Sequence, residues 1–325
     1  MKRLIAEFEE QDFIQMVFPH EKTDWKDYLD EAIQAYINII DAIRKYQKVL
    51  LICVNVDKVK KYFEDEKNIK FVKYETNDTW ARDISAISIK EDNKTVLYDF
   101  RFNAWGGKFE YEKDNNLTQA IKHCYDKEVK SFDFILEGGA IESNGEGVLL
   151  TTSRCMLNQN RNKLSKSETT SKLKEFFGLK EVLYLNHGFL AGDDTDSHID
   201  TLARFVSKDT IMYIKCEDEK DEHYIELKKM EDELKEFAKK FCFNLIALPF
   251  CDAIYFEDER LPATYANFLI LNDAVLVPIY NVCEDKKALE IFKSYFKDKD
   301  VIGVDCSVII RQHGSLHCIT MQFSK

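Results

Sequence analysis

A helical segment followed by a buried strand recurs along this sequence at intervals of roughly 50–70 residues, and no other feature constrains the fold as strongly. Residues 23–46 carry apolar side chains at helical spacing behind a candidate cap at Thr23 or Asp24, and KVLLICVNV follows as a strand. The same order returns in EDELKEFAKKFCFNLIALPF and in ALEIFKSYFKDKDVIGVD. Units of this size cannot bury their apolar faces alone, so the pattern predicts α/β units that are stacked or arranged radially.

The motifs of nucleotide-binding α/β folds are missing from the chain. Neither a G-x-G-x-x-G turn nor a Walker loop occurs among its 11 glycines. About five helix-strand units without such a loop favour a closed α/β array over a doubly wound sheet.

The charge of the chain limits its partners. The formal net charge is −12, which argues against nucleic acid or an anionic membrane and mildly favours a cationic substrate. The apolar stretches, such as VLLICV, are too short to cross a bilayer. The nine cysteines are scattered without a close C-x-x-C pair, which indicates a reduced, cytoplasmic chain without a structural zinc site.

Four polar clusters fall at the ends of predicted strands: NDTWARD, LEGGAIESNGEG, GDDTDSHID and HGSLHC. In the third cluster, His198 and Asp200 share a face if the segment is extended, and they diverge if it is helical. The alternative is a helix start at which Asp193, Asp194 or Asp196 acts as the cap. The spacing alone leaves both interpretations open.

Each remaining candidate also has a structural alternative. Asp83 follows an arginine and could form a surface ion pair, whereas Glu137 follows the apolar strand FDFIL and should be buried with a partner. Cys318 could be a core residue like the other cysteines. A metal site of His313, His317 and Cys318 would need a helix, which Gly314 disfavours.

Taken together, one cysteine, one histidine and three carboxylates suit nucleophilic attack on a planar cation. A guanidinium stays charged and matches carboxylates with its fork of donors. Two aspartates would hold it, a thiolate would attack its carbon and a histidine would move protons. Because free cysteine titrates near ~8.5, a neighbouring cation must favour the thiolate, either the histidine or the substrate.

Five motifs in order resemble the agmatine deiminase and bacterial peptidylarginine deiminase family, which belongs to the pentein superfamily of guanidine-modifying enzymes. They are DTWARD, LEGG followed by NGEG, TDSHID followed by ARF, LPATYANF, and GSLHC. The resemblance extends from about residue 77 to the C-terminal motif, and VFPHEKTDW near the start is only loosely similar.

The resemblance implies a five-bladed α/β propeller of ββαβ-type units, which we expect as a single catalytic domain over residues 1–325. It implies Cys318 as the nucleophile and His198 as the general acid and base. It also implies that Asp83 and Asp200 grip the guanidinium beside Trp80, and that Glu137 pairs with His198 and orients it.

The implied reaction converts agmatine to N-carbamoylputrescine and ammonia through a covalent amidino-cysteine, with no metal and no cofactor. Members of the family are often homo-oligomers. This chain departs from the family at residues 312–315, which replace a glycine run, and at TDSH, which replaces TDGH. These loops shape the pocket, so deimination of peptidyl-arginine or free arginine stays an alternative, as does, less favourably, guanidine binding without turnover.

Overall fold

The computed structural model describes residues 2–325, along which 19 strands alternate with nine α-helices and five short 3-10 turns. The strands are β1 (Lys2–Leu4), β2 (Gln11–Val17), β3 (Lys48–Cys53), β4 (Ile69–Lys73), β5 (Ile87–Glu91), β6 (Lys94–Arg101), β7 (Val129–Ile135), β8 (Glu142–Ser143), β9 (Val148–Thr152), β10 (Glu181–Leu185), β11 (Ala203–Ser207), β12 (Thr210–Lys215), β13 (Asn244–Pro249), β14 (Tyr255–Phe256), β15 (Glu259–Arg260), β16 (Leu269–Ile270), β17 (Ala274–Ile279), β18 (Asp300–Asp305) and β19 (Thr320–Ser324). The helices are α1 (Leu29–Ile43), α2 (Val56–Lys60), α3 (Ala81–Ile84), α4 (Ala104–Gly107), α5 (Glu112–Ile121), α6 (Ser153–Met156), α7 (Lys166–Phe177), α8 (Tyr224–Phe241) and α9 (Glu284–Tyr295).

Five sheets repeat one pattern. Their strand orders are β19-β2-β3-β4, β1-β5-β6-β7, β8-β9-β10, β11-β12-β13 and β16-β17-β18. In each sheet an antiparallel pair is followed by a parallel pair, and a helix lies in the crossover between the parallel strands. The mixed α/β fold is thus confirmed in units of the ββαβ type, whereas their closure into a five-bladed propeller stays a prediction.

The helix predicted over residues 23–46 is wrong in its first turns. A 3-10 turn occupies Asp24–Tyr28, and α1 begins only at Leu29. Trp25 is completely buried, and its Nε1 donates to Thr79 at 2.9 Å, which draws this segment toward the interior. The Thr23 hydroxyl donates back to the carbonyl of His20 instead of capping a helix. Tertiary contacts of a buried tryptophan therefore outweigh the helical pattern here.

The chain brings distant segments together at β19. This strand pairs antiparallel with β2, and Thr320 lies opposite Met16. The buried apolar residues form one cluster that runs from Leu4 to Phe323. Within residues 2–325, no helix combines the length and the apolarity that a segment crossing a bilayer requires.

One arginine joins three of the segments from inside. Arg204 in β11 is 0% exposed. Its guanidinium donates to the carboxylate of Glu142, to Oε2 of Glu7 at 2.6 Å and to the carbonyl of Phe268 at 2.6 Å. Removing a buried cation leaves its carboxylate partners uncompensated, which costs more than the pair itself contributes.

We expect Arg204→Leu to lower the free energy of unfolding by about 3–5 kcal/mol, because Glu7 and Glu142 would stay buried without their counterion. Urea denaturation followed by circular dichroism measures this change. Arg101→Leu is the matched control, since Arg101 pairs with the exposed Asp133, and its effect should stay within about 0.5 kcal/mol. Equal effects of the two substitutions would contradict the structural role of Arg204.

Candidate active site

Three of the predicted site residues, His198, Asp83 and Asp200, converge on one buried glycine. A Cβ atom added to Gly139 would lie 2.6 Å from Nδ1 of His198, 3.0 Å from Oδ1 of Asp83 and 3.1 Å from Oδ2 of Asp200. These are distances at which any side chain would clash with the site. Gly139 is therefore required for close approach, and the convergence predicted from the sequence is present.

His198 and Asp200 combine the two conformations that the sequence left open. His198 is extended, with φ −54° and ψ 140°, and it precedes the 3-10 turn Ile199–Thr201 that contains Asp200. Asp193 does not cap a helix; it accepts hydrogen bonds from the amides of Thr195 and Ser197 and shapes the preceding loop. His198 is 1% and Asp200 0% exposed, so both face the interior.

Asp83 is held by two donors and not by the neighbouring arginine. Its Oδ1 accepts from the amide of Gly139 at 2.9 Å, and its Oδ2 accepts from Nε1 of Trp105 at 3.0 Å. Oδ1 also lies 3.8 Å from Nδ1 of His198. The side chain of Arg82 points away, and its Nε donates to the carbonyl of His317. A surface ion pair between Arg82 and Asp83 is thus excluded.

Glu137 has a different partner from the one the resemblance implied. Nε of Arg161 donates to both of its oxygens, at 2.9 and 3.1 Å, and Arg161 also binds Asp196 at 2.7 Å. Glu137 is 1% exposed, as its position after an apolar strand predicted. No direct hydrogen bond joins it to His198 among the described residues. Instead, Cys155 shares the space, and the ligating atoms of Glu137, Cys155 and His198 lie within 4.8 Å of one another.

Cys318 lies beside an amide and a carboxylate. Its Sγ is 3.3 Å from Nδ2 of Asn267 and 4.0 Å from Oδ2 of Asp200. Oδ1 of Asn267 accepts from the amides of His317 and Cys318 at 2.8 and 3.3 Å. Asn267 therefore fixes the backbone that carries the thiol.

The two histidines near Cys318 have separate roles. His313 lies at the surface of the loop, and its Nδ1 contacts the carbonyl of Gly192 at 2.7 Å. His317 is 2% exposed, and each of its nitrogens contacts a buried carboxylate, Asp200 at 2.7 Å and Glu7 at 2.6 Å. Because both nitrogens of His317 are occupied, it does not ligate a metal together with Cys318.

Burial and charge set the protonation of the site. Burial lowers the pKa of His198, but attraction by Asp83, Cys155 and Glu137 outweighs it and raises this pKa to about 10. Burial and the charges of Asp200 and Asp83 raise the pKa of the Cys318 thiol well above its ordinary value. At neutral pH the free site thus holds a protonated histidine and a protonated thiol.

A cavity of about 200 Å³ opens beside Cys318 and is strongly acidic. Trp80, Trp105 and Phe109 form its apolar walls. A Cβ atom on Gly314 would lie 2.1 Å from Cζ3 of Trp80, so a glycine is needed for the indole to pack there. The carboxylates that line the cavity belong to Asp24, Asp78, Asp83, Asp193 and Asp194.

Two buried groups of side chains have the donor atoms of a metal site, namely Glu137 with Cys155 and His198, and Glu7 with Glu142 and His317. In each group an arginine already binds a carboxylate: Arg161 binds Glu137, and Arg204 binds Glu7. A metal ion would have to displace these guanidinium groups. The donor sets therefore do not fit a resident metal.

Sequence reasoning missed several residues of the site. Asn267 lies in LPATYANF, a segment recognised only as a motif, and Arg161 follows the polar segment LNQN. Trp105 precedes a pair of glycines, and it has a left-handed φ of 53°. Because conservation is not visible in a single sequence, nothing in the sequence except the neighbouring turns indicated that these residues belong to the site.

Comparisons with known proteins give one consistent picture. A model of the Porphyromonas-type peptidyl-arginine deiminase family matches residues 3–323. A relative from Mycoplasma capricolum, which carries the provisional name of an agmatine deiminase, is 30% identical over 98% of this chain and 94% of its own length.

Solved structures agree with the family match. A C. jejuni agmatine deiminase with substrate bound is 46% identical, with a TM-score of 0.96, and covers 100% of this chain and 97% of its own. An agmatine deiminase of Enterococcus faecalis is 27% identical, with a TM-score of 0.92, over 100% and 96% of the two chains. An inosamine-phosphate amidinotransferase of Streptomyces griseus, 10% identical with a TM-score of 0.51 over 99% and 96%, shares the fold alone.

The raised pKa of Cys318 predicts how the free protein reacts with iodoacetamide. Because only the thiolate is alkylated, the rate at Cys318 should keep rising with pH through pH 9 without a plateau. Mass spectrometry of each cysteine after short exposure measures these rates. The exposed Cys242 and Cys283 serve as internal controls for the reactivity of the reagent. A plateau at Cys318 below pH 8 would show a preformed thiolate and contradict the prediction.

Proposed function

This chain belongs to the Porphyromonas-type peptidyl-arginine deiminase family, and from this membership we propose that it hydrolyses agmatine to N-carbamoylputrescine and ammonia. The observation that carries the proposal is the meeting of Cys318, His198, Asp83 and Asp200 beside one acidic cavity. This set contains a nucleophile, a proton carrier and two carboxylates for a guanidinium. Agmatine deiminases among the similar structures support the same reaction.

Binding would begin with the two aspartates. Oδ1 of Asp200 is buried and has no hydrogen-bond partner among the described residues, so it is available to a guanidinium donor. Asp83 lies on the same side of Gly139 and lines the cavity. Guanidinium and carboxylate match through parallel N–H donors, which orients the central carbon toward Cys318. Trp80 would form one wall beside the bound cation.

The cationic substrate would activate the thiol. The carboxylates that raise the pKa of Cys318 are the ones that a guanidinium neutralises, so binding favours the thiolate. Sulfur attacks the guanidinium carbon, and His198 donates its proton to the departing nitrogen, which leaves as ammonia. The amidino group stays bonded to Cys318 as a cation, and His198 is left neutral, because the thiol proton passes to solvent when the thiolate forms.

Hydrolysis would restore the cysteine. His198, now neutral, takes a proton from water, and the oxygen attacks the amidino carbon. The carbon–sulfur bond breaks, sulfur leaves with a proton, and the ureido product dissociates. Glu137 would act on His198 through charge, since its direct partner is Arg161. No step of this sequence needs electrons from outside or a metal ion.

The charge of the cavity favours agmatine over arginine. None of the described residues that line it is a lysine or an arginine, and Asp24 and Asp194 stand at its rim without a side-chain hydrogen bond or ion pair. The α-carboxylate of free arginine would meet these charges unfavourably, whereas the primary ammonium of agmatine would be attracted. Deimination of peptidyl-arginine stays the second candidate, because the family model carries that name.

We also propose that the five ββαβ sheets form five blades around the site and that residues 1–325 make one catalytic domain. The repeated strand order and the single apolar cluster support this arrangement. A cytoplasmic location and a homo-oligomer complete the proposal; the absence of disulfide bonds among the nine cysteines is compatible with the former.

A substrate panel tests the proposed function. We expect ammonia release and a carbamoyl product from agmatine, with kcat/KM at least about 100-fold above that for arginine or an arginine peptide. Cys318→Ser should abolish turnover while agmatine still binds in a calorimeter, because the aspartates remain. Turnover by the serine variant, or a preference for arginine, would contradict the proposal.

The rim carboxylates predict a selective effect on the substrate tail. Asp194→Asn should raise KM for agmatine roughly tenfold, which corresponds to ~1.4 kcal/mol of lost attraction to the ammonium. It should leave KM for butylguanidine, which lacks that ammonium, unchanged. Asp298→Asn, at an exposed position outside the cavity, is the matched control. An equal loss with both substrates would assign Asp194 a general structural role instead.

A further inference from the structure

A buried chain of hydrogen bonds runs from the site to a residue near the start of the protein. Oδ2 of Asp200 lies 2.7 Å from Nδ1 of His317, and Nε2 of His317 lies 2.6 Å from Oε2 of Glu7. The three side chains are at most 5% exposed. Glu7 is anchored in turn by Arg204 at 2.6 Å and by the amide of Ile270 at 2.8 Å.

The two contacts of His317 fix the total charge of Glu7, His317 and Asp200. Two hydrogen bonds between one imidazole and two carboxylates need two protons. The protons are held either by an imidazolium between two carboxylates, or by a neutral imidazole and one carboxylic acid. In both cases Glu7, His317 and Asp200 together carry a charge of −1, and the three groups titrate as one unit.

The contact with His317 also fixes the orientation of Asp200. The terminal torsion of an aspartate is broad, so a carboxylate without a directional partner can rotate. With Oδ2 held by Nδ1 of His317, the other oxygen, Oδ1, keeps one direction, and it makes no hydrogen bond within the described residues. A displacement of 1 Å in such a group can change a rate by about 100-fold.

We propose that His317 and Glu7 are positioning residues, which hold Asp200 by Oδ2 so that its Oδ1 receives the guanidinium. The inference rests on the proposed function, which supplies the donor for Oδ1. Cys318 follows His317 directly, and its Sγ lies 4.0 Å from the same Oδ2 atom. His317 therefore sets the distance between the nucleophile and the carboxylate that holds the substrate.

Two substitutions of His317 separate positioning from packing. The amide of asparagine places its N–H donor near the position of Nδ1, whereas the amide of glutamine places it near Nε2. His317→Asn retains the contact with Asp200, and kcat/KM for agmatine should fall by no more than roughly tenfold. His317→Gln retains only the contact with Glu7, and kcat/KM should fall roughly 100-fold.

The pH profile gives a second readout. Burial raises the pKa of Asp200, but the hydrogen bond and charge of His317, together with the charges of His198 and Arg204, outweigh it, so this pKa lies below its ordinary value. In His317→Gln the contribution of His317 is lost while those of His198 and Arg204 remain, and the pKa of Asp200 rises. Asp200 must be ionised to bind the cation. When the pH is lowered, the variant therefore loses activity at a higher pH than the wild-type protein does. The acid limb of kcat/KM should therefore move upward in His317→Gln and less so in His317→Asn.

The outcomes distinguish this inference from the proposed function. If the wild-type protein does not turn over agmatine, the proposed function is overturned. If the wild-type protein is active but both variants lose kcat/KM equally and keep the acid limb of the wild type, the positioning role is overturned. His123→Gln, at an exposed position, should match the wild type. Thermal denaturation checks that each variant folds.

A measurement without His317 variants covers the case in which they do not fold. In ¹⁵N-histidine-labelled Cys318→Ser protein, the Nδ1–H signal of His317 should shift when agmatine is added to saturation, because Oδ1 of the hydrogen-bonded Asp200 then receives the guanidinium. An unchanged signal at saturation would overturn the inference.

Discussion

The burial of many carboxylates in one interior is the constraint on which this structure depends. An ionised carboxylate without a partner is unfavourable by several kcal/mol in such surroundings, so each must meet a cation or several donors. Arg204 meets Glu7 and Glu142, and Arg161 meets Glu137. These arginines are at most 2% exposed at the side chain, and they join segments that are far apart in sequence.

The site differs from this interior in one respect. Asp83 and Asp200 are held by an indole, an amide and an imidazole, and neither is bound by an arginine. Asp83 lines the cavity and Asp200 lies beside Cys318 at its wall, so a guanidinium bound there would complete the pattern seen around Arg204. The proposed substrate carries the group with which the protein satisfies its own carboxylates. Binding and activation of the thiol then have the same physical cause, the neutralisation of charge beside Cys318.

The sequence predicts the types of element and the motif residues well, because both are local. The helix and strand periods identify β3 and β18 within a few residues, and they identify the presence of α1 and α8 but not where these helices begin. The partners of the buried charges are not local. Glu137 follows FDFIL, yet nothing near it in the sequence indicates that Arg161 is its partner. His317 is 310 residues from Glu7, so its position beside Cys318 suggested only a metal site and not a contact with two carboxylates.

The side chains around Gly139 come from different parts of the chain, and Cys318 reaches them only when β19 pairs with β2. Long-range pairing of this kind forms late, because distant segments must meet before the contacts stabilise one another. Until then Cys318 is one ordinary thiol among nine, with no carboxylates to bind a cation. Partly folded forms of the protein are therefore catalytically inactive, and turnover itself shows that β19 has paired with β2.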